Sequence, residues 1–211
     1  LNFMVGNYND ALSDYENAEK YEPNNHNIYY SIGRMQYILK NYDNSLENYT
    51  KAIHLKPKDA KSYVGRGLVK ETCGNLQGAI EDYTKGIKAD KKYTKAYVNR
   101  GVAKDKNKDY QGAIDDYNKA IKVDKYAADA YYNRGLTLCK LERYEEAIED
   151  YSYAISLDRF YELAYLHRGL TYFIQKQYEK ARKDFIKTLN INPANKDAKN
   201  KLDEIKDYVV E

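Results

Sequence analysis

Apolar, small and charged residues recur along this chain at one fixed spacing. "YVGRG" at 63–67 returns as "YVNRG" at 97–101 and as "YYNRG" at 131–135, each 34 residues after the last. Aligned on that period, the chain gives five full units, 26–59, 60–93, 94–127, 128–161 and 162–195, with a partial unit at 1–25 and a tail at 196–211. Position 4 of each unit is Tyr29, Tyr63, Tyr97, Tyr131 and Tyr165, and position 8 is Gly33, Gly67, Gly101, Gly135 and Gly169. Position 20 is Ser45, Ala79, Ala113, Ala147 and Ala181; position 24 is Tyr49, Tyr83, Tyr117, Tyr151 and Phe185; position 27 is Ala52, Gly86, Ala120, Ala154 and Thr188. At about 100° per residue, positions 4, 8 and 11 share one side of a first helix, and 20, 24 and 27 share one side of a second. Small residues let the two backbones approach, and rings fill the space between them.

A short polar break such as "KNYD" separates the two helices and makes them antiparallel neighbours. It carries a ring at position 17 (Tyr42, Tyr110, Tyr144, Tyr178), with Leu76 as the exception. The three prolines, Pro23, Pro57 and Pro193, all stand at position 32, where a second helix has to stop before the next unit starts.

This pattern resembles the tetratricopeptide repeat family, which has rings at 4, 11 and 24, Leu-Gly at 7–8, Ala at 20 and 27, and Pro at 32. The resemblance covers nearly the whole chain and implies an all-α fold, a right-handed α-solenoid of stacked antiparallel helix pairs. It departs at position 7, which is Arg in four units, and at position 11, where Gln36, Lys70, Lys104 and Leu138 precede the expected Tyr172. Polar residues at position 11 lead us to expect looser packing there. Residues 1–25 match mainly the second helix of a repeat through Ala11, Tyr15, Ala18 and Pro23, with Leu1 to Val5 as the end of its first helix. Residues 196–211 form an expected capping helix, with Ala198, Leu202, Ile205 and Val209 on one stripe. An opening at Leu1 rather than methionine suggests a fragment or a processed form. The incomplete first repeat is expected to offer a surface for self-association.

Arginine and aspartate vary together from unit to unit. Position 7 is Ile32, Arg66, Arg100, Arg134 and Arg168, while position 23 is Asn48, Asp82, Asp116, Asp150 and Asp184. The one unit without the arginine also lacks the aspartate. Positions 7 and 23 can face each other across an antiparallel hairpin, so four structural ion pairs are expected: Arg66–Asp82, Arg100–Asp116, Arg134–Asp150 and Arg168–Asp184.

Composition narrows the function. Twenty-five tyrosines, four phenylalanines and no tryptophan make the aromatic content almost wholly phenolic. A net charge of +3, with 35 basic and 32 acidic residues mixed along the chain, gives no concentrated field for nucleic acid. No apolar run approaches the roughly 18 residues of a membrane span, and no signal peptide opens the chain. A soluble protein is expected, with no membrane insertion. Cys73 and Cys139 lie two units apart, too far for a disulfide in a stacked array, and are read as free thiols, which favours the cytoplasm. His26, His54 and His167 have no metal-ligand spacing, so no metal or other cofactor is expected. No nucleophile, base or phosphate loop assembles from the pattern, and the protein is read as a non-enzyme.

The resemblance implies a concave face lined by first helices that holds a peptide of a partner protein. Positions 2, 6, 9 and 13 point away from the packed face, with 5 and 12 beside them. The expected groove is therefore Val64, Leu68, Val98, Asn99, Val102, Tyr132, Asn133, Leu136, Leu166, His167 and Leu170. One subfamily grips chaperone C-terminal tails with Lys at 5 and Asn at 9 of its first unit. Here position 5 is Tyr30, Val64, Val98, Tyr132 and Leu166, so that clamp is incomplete, which speaks against chaperone tails as partners. Asn99 and Asn133 at position 6 offer paired donors and acceptors to a peptide backbone. A purely structural or self-associating array is the alternative.

Overall fold

The computed structural model describes residues 7–206 and 208, and within them the chain is helical, without strands. Leu1 to Val5 and Val209, which carry part of the expectation for the two ends, lie outside the described residues. The helices are α1 (Tyr8–Tyr21), α2 (His26–Ile38), α3 (Tyr42–Leu55), α4 (Ala60–Thr72), α5 (Leu76–Ala89), α6 (Thr94–Lys106), α7 (Tyr110–Val123), α8 (Ala128–Lys140), α9 (Tyr144–Leu157), α10 (Glu162–Ile174), α11 (Tyr178–Ile191) and α12 (Lys196–Ile205). The fold is all-α, of the solenoid class.

The chain forms two compact units, one ending at Asp109 and the other starting at Tyr110. In the first, α2 pairs with α3 and α4 with α5; α1 packs on α2, α3 on α4 and α5 on α6. The first helices α2, α4 and α6 therefore lie side by side. In the second unit, α8 pairs with α9 and α10 with α11, while α7 packs on α8, α9 on α10 and α12 on α11.

Local chemistry sets where each helix starts and stops. Asn25, Asp59, Asn75 and Asn195 accept a backbone N–H of the first turn at α2, α4, α5 and α12, supplying an acceptor that the helix start lacks. The first helix of every full repeat ends in the same left-handed turn, at Lys40, Gly74, Lys108, Glu142 and Lys176, with φ between 58° and 83°. Only Gly74 adopts that conformation without a Cβ penalty. Pro23, Pro57 and Pro193 follow the ends of α1, α3 and α11 and stop them.

Glycine and ring meet as the pattern suggests. A Cβ added at Gly67 would lie 2.7 Å from Cε1 of Tyr83, one at Gly135 2.7 Å from Cε1 of Tyr151, and one at Gly169 2.8 Å from Cε1 of Phe185. Those three rings are fully buried. Two further rows complete the core that the sequence reading did not single out. Position 3 (Ile28, Ser62, Ala96, Ala130, Ala164) and position 10 (Met35, Val69, Ala103, Thr137, Thr171) are buried in all five repeats. The expectation of loose packing at position 11 needs correcting. Gln36 and Leu138 are buried, and Lys70 turns its ammonium onto Asp82 at 2.8 Å.

Candidate functional site

Two surfaces bear on function: the struts that hold neighbouring helices in place, and the face that the first helices present. Arg66 on α4 reaches Asp82 on α5 in a fork, Nε to Oδ2 at 2.9 Å and Nη2 to Oδ1 at 2.8 Å. Arg134 on α8 does the same to Asp150 on α9 at 2.7 and 2.6 Å, and Arg168 on α10 to Asp184 on α11 at 2.8 and 2.8 Å. A planar guanidinium matches a carboxylate in this two-bond geometry. Each of these arginines also lies over the position-4 tyrosine of its own helix: Tyr63, Tyr131 and Tyr165, at 6.0, 5.6 and 5.7 Å. Arg100 belongs to the first compact unit and Asp116, fully buried on α7, to the second.

The third guanidinium nitrogen ties successive repeats together. Nη1 of Arg66 donates to Thr50 on α3 at 3.0 Å, Nη1 of Arg100 to Thr84 on α5 at 2.9 Å, and Nη1 of Arg168 to Ser152 on α9 at 2.8 Å. Arg134 donates likewise to Asn118 on α7. All four acceptors occupy position 25. Sequence reasoning missed them, although a signal was present: the residue 16 places before each of the four arginines is a short polar one, Thr50, Thr84, Asn118 or Ser152, whereas Ile186 precedes Leu202.

The electrostatics differ between repeats. Burial works to raise the Asp82 carboxyl, but the Arg66 guanidinium and the Lys70 ammonium overcome it and hold its pKa below the usual value. Burial dominates at Asp150, where Arg134 is the cation, and its pKa is raised.

On the first-helix face, the expected groove residues separate by depth. Val64, Tyr132 and Leu166 are buried and belong to the apolar clusters around Tyr83, Tyr151 and Phe185, so packing consumes them. Leu68, Val98, Asn99, Val102, Asn133, Leu136, His167 and Leu170 are half-buried and keep part of their surface. On α10, Leu163 and Ile174 stand one turn beyond His167 and Leu170 at 45% and 57% exposure. Helix periodicity puts Leu163, His167, Leu170 and Ile174 on one stripe. Asn133 donates to the Asp129 carbonyl at 2.7 Å.

Around His167 the C-terminal unit gathers rings. Tyr132 lies 5.1 Å from Tyr161 and 5.6 Å from His167, and Tyr161 donates to Asp129 Oδ1 at 2.8 Å. Burial pushes the Tyr132 hydroxyl up to about 12 and lowers His167 below its ordinary value, an effect that the hydrogen bond to the Leu163 carbonyl partly offsets. His167 is therefore neutral at neutral pH. In the N-terminal unit the same face carries exposed Lys61 and Lys95, and a Lys106–Glu71 pair at 2.7 Å. Among the described residues, no group of three or more His, Cys, Asp or Glu could hold a metal ion, and no helix is long and apolar enough to cross a membrane.

Comparison with known proteins agrees with this geometry. Family profiles for the tetratricopeptide repeat match residues 5–60, 60–93, 94–126, 128–161 and 162–195. The chain belongs to the tetratricopeptide repeat family. As such it is a protein–protein interaction scaffold, built on a fold that is typically non-catalytic. No curated protein sequence matches it significantly. Among solved structures, MamA is 28% identical with a TM-score of 0.68, over 77% of this chain and 95% of that one. The first repeat region of Spaghetti (RPAP3), solved with an HSP90 peptide, is 30% identical with a TM-score of 0.53, over 55% of this chain and 91% of its own. YrrB, described as a repeat protein with an unusual peptide-binding site, is 19% identical with a TM-score of 0.65, over 88% of this chain and 96% of its own. That last likeness is one of fold alone.

Proposed function

We propose that the first-helix face binds a peptide segment of a partner protein, through half-buried apolar side chains at position 9 and amide anchors at position 6. The observation that carries this reading is the apolar surface left over after the hairpins have packed. Leu68, Val102, Leu136 and Leu170 keep part of their area, and α10 adds Leu163 and Ile174 at the edge. Within each compact unit, apolar surface on the first-helix face that is rimmed by polar groups is the usual mark of an interaction site. The peptide bound by Spaghetti and the peptide-binding site described for YrrB lend support by analogy of fold.

Asn99 and Asn133 each place a carboxamide on the first-helix face of their own unit, which can pair with a peptide backbone of any sequence. Peptides enriched from a random display library on the wild-type protein are the probe. Asn99→Ala combined with Asn133→Ala is expected to weaken them by about tenfold or more, about 1.4 kcal/mol, while the melting temperature stays unchanged. Equal affinity in the double variant would refute the amide anchors. A library without enrichment, together with a mass that rises with concentration, would favour a self-associating array instead.

A further inference from the structure

The C-terminal unit contains a cavity of about 200 Å³ where α7, α8 and α9 meet. It lies on the side of α8 that carries Arg134 and Leu138, a different side from that of Asn133 and Leu136. Its polar lining is Asn118, Arg134, Arg143, Glu146, Glu149 and Asp150. The repeat at 60–93 shows what such a place holds. There, at position 11, Lys70 sets its ammonium 2.8 Å from Oδ2 of Asp82, beside the Arg66 fork. In the repeat at 128–161 the fork is kept and position 11 is Leu138, whose side chain ends in methyl groups. Position 19 changes in the opposite sense, from Gly78 to Glu146, and position 22 keeps an acid, Glu81 becoming Glu149.

The charges around the cavity follow from those substitutions. Arg134 is matched by Asp150 and Arg143 by Glu146, at 2.6 Å each, which leaves the Glu149 carboxylate in excess. The cavity thus has the acids and the arginine of the earlier repeat without its ammonium, since the added Glu146 is matched by Arg143, which stands where that repeat has Asn75. The opposite pKa shifts of Asp82 and Asp150 accord with that difference.

We propose that this cavity takes an alkylammonium group, the end of a lysine side chain, in the place that Lys70 fills in the repeat at 60–93. Arg66 and Lys70 share one carboxylate there, so the neighbouring Arg134 is no bar to a second cation on Asp150. An ammonium brings three donors, enough for Asp150 and the two glutamates at the rim. The site is separate from the first-helix face and would let the scaffold hold a second chemical feature of a partner.

The test is a titration of the full chain with n-butylammonium chloride, followed by amide chemical shifts. Equal concentrations of n-butanol and of sodium chloride serve as controls for shape and ionic strength. Saturable shifts near Leu138, Glu146 and Asp150 are expected, with a dissociation constant on the order of millimolar, as suits so small a ligand. Leu138→Lys supplies the ammonium internally and should abolish them. Glu149→Gln, at the exposed rim, should weaken binding by about threefold without changing the melting temperature, which keeps the test valid if Leu138→Lys fails to fold. A second arm uses acetyl-glycyl-lysyl-glycine amide. Matching shifts assign the site to a lysine on a polypeptide, and shifts with the free amine alone assign it to small amines. No saturable shift, equal shifts with butanol, or equal binding by Glu149→Gln would overturn the proposal.

Discussion

Replacing Asp82 by alanine is expected to cost about 3–5 kcal/mol of stability, read as a shift of the denaturant midpoint. The carboxylate is 1% exposed, and it receives the Arg66 fork and the Lys70 ammonium. Its removal leaves two cations facing a buried gap, and an unpaired buried charge costs more than the pair contributes. Replacing Arg66 and Asp82 together by apolar residues of similar volume should therefore cost less than Asp82→Ala alone. The exposed Glu47–Lys51 pair is the control, and Glu47→Ala should change stability by about 1 kcal/mol or less. The pH dependence has a definite sign. The folded pKa of Asp82 is depressed, so its contribution is full above about pH 4, the unfolded carboxyl value, and is lost as pH falls through the folded value. The difference between wild type and Asp82→Asn should shrink over that acid range and stay constant from pH 5 to 8.

The second large effect is expected at Tyr83, where alanine should cost about 3–5 kcal/mol. The ring is fully buried and packs against Gly67, where the backbone leaves no room for a Cβ. Its hydroxyl donates to Glu71 Oε2 at 2.7 Å, and Glu71 in turn pairs with Lys106 on the next first helix. Burial, with the Glu71 carboxylate beside it, raises the phenol far above its ordinary pKa and keeps it a donor. Tyr83→Phe keeps the packing and removes only the donor, so about 1–3 kcal/mol is expected. Equal losses for the two variants would mean that the hydroxyl, and not the ring, carries the stability.

Those two sites also show how far the sequence could be read. The glycine at 8 and the ring at 24 are legible because each is a residue type that few other positions demand, repeated at one spacing. Positions 3 and 10 were missed for the opposite reason. Ser62, Thr137 and Thr171 are buried at close helix contacts, and all three are satisfied locally, with Ser62 on Asp59, Thr137 on the Asn133 carbonyl and Thr171 on the His167 carbonyl. Small polar residues of this kind carry little hydropathy signal. Position 25 was missed because Thr50, Thr84 and Ser152 look like ordinary surface residues until the arginine of the next repeat reaches them.

The face of the first helices was only partly legible. Periodicity alone put position 5 beside 6 and 9, yet Val64, Tyr132 and Leu166 go into the core. Neighbouring first helices pack on each other, and that contact belongs to the stacking of repeats, which lies beyond the pattern of a single helix. The chain's own charge differences, such as Lys70 against Leu138, became informative only once the surroundings of Asp82 and Asp150 could be compared.

The peptide-binding reading is tested most directly by mapping a library-selected peptide onto the isotope-labelled protein by amide chemical shifts. The account predicts that the perturbed amides belong to first helices, in the neighbourhood of Leu68, Asn99, Val102, Asn133, Leu136, His167 and Leu170. Perturbations concentrated on the second helices α3, α5, α9 and α11, with those residues unmoved, would contradict it.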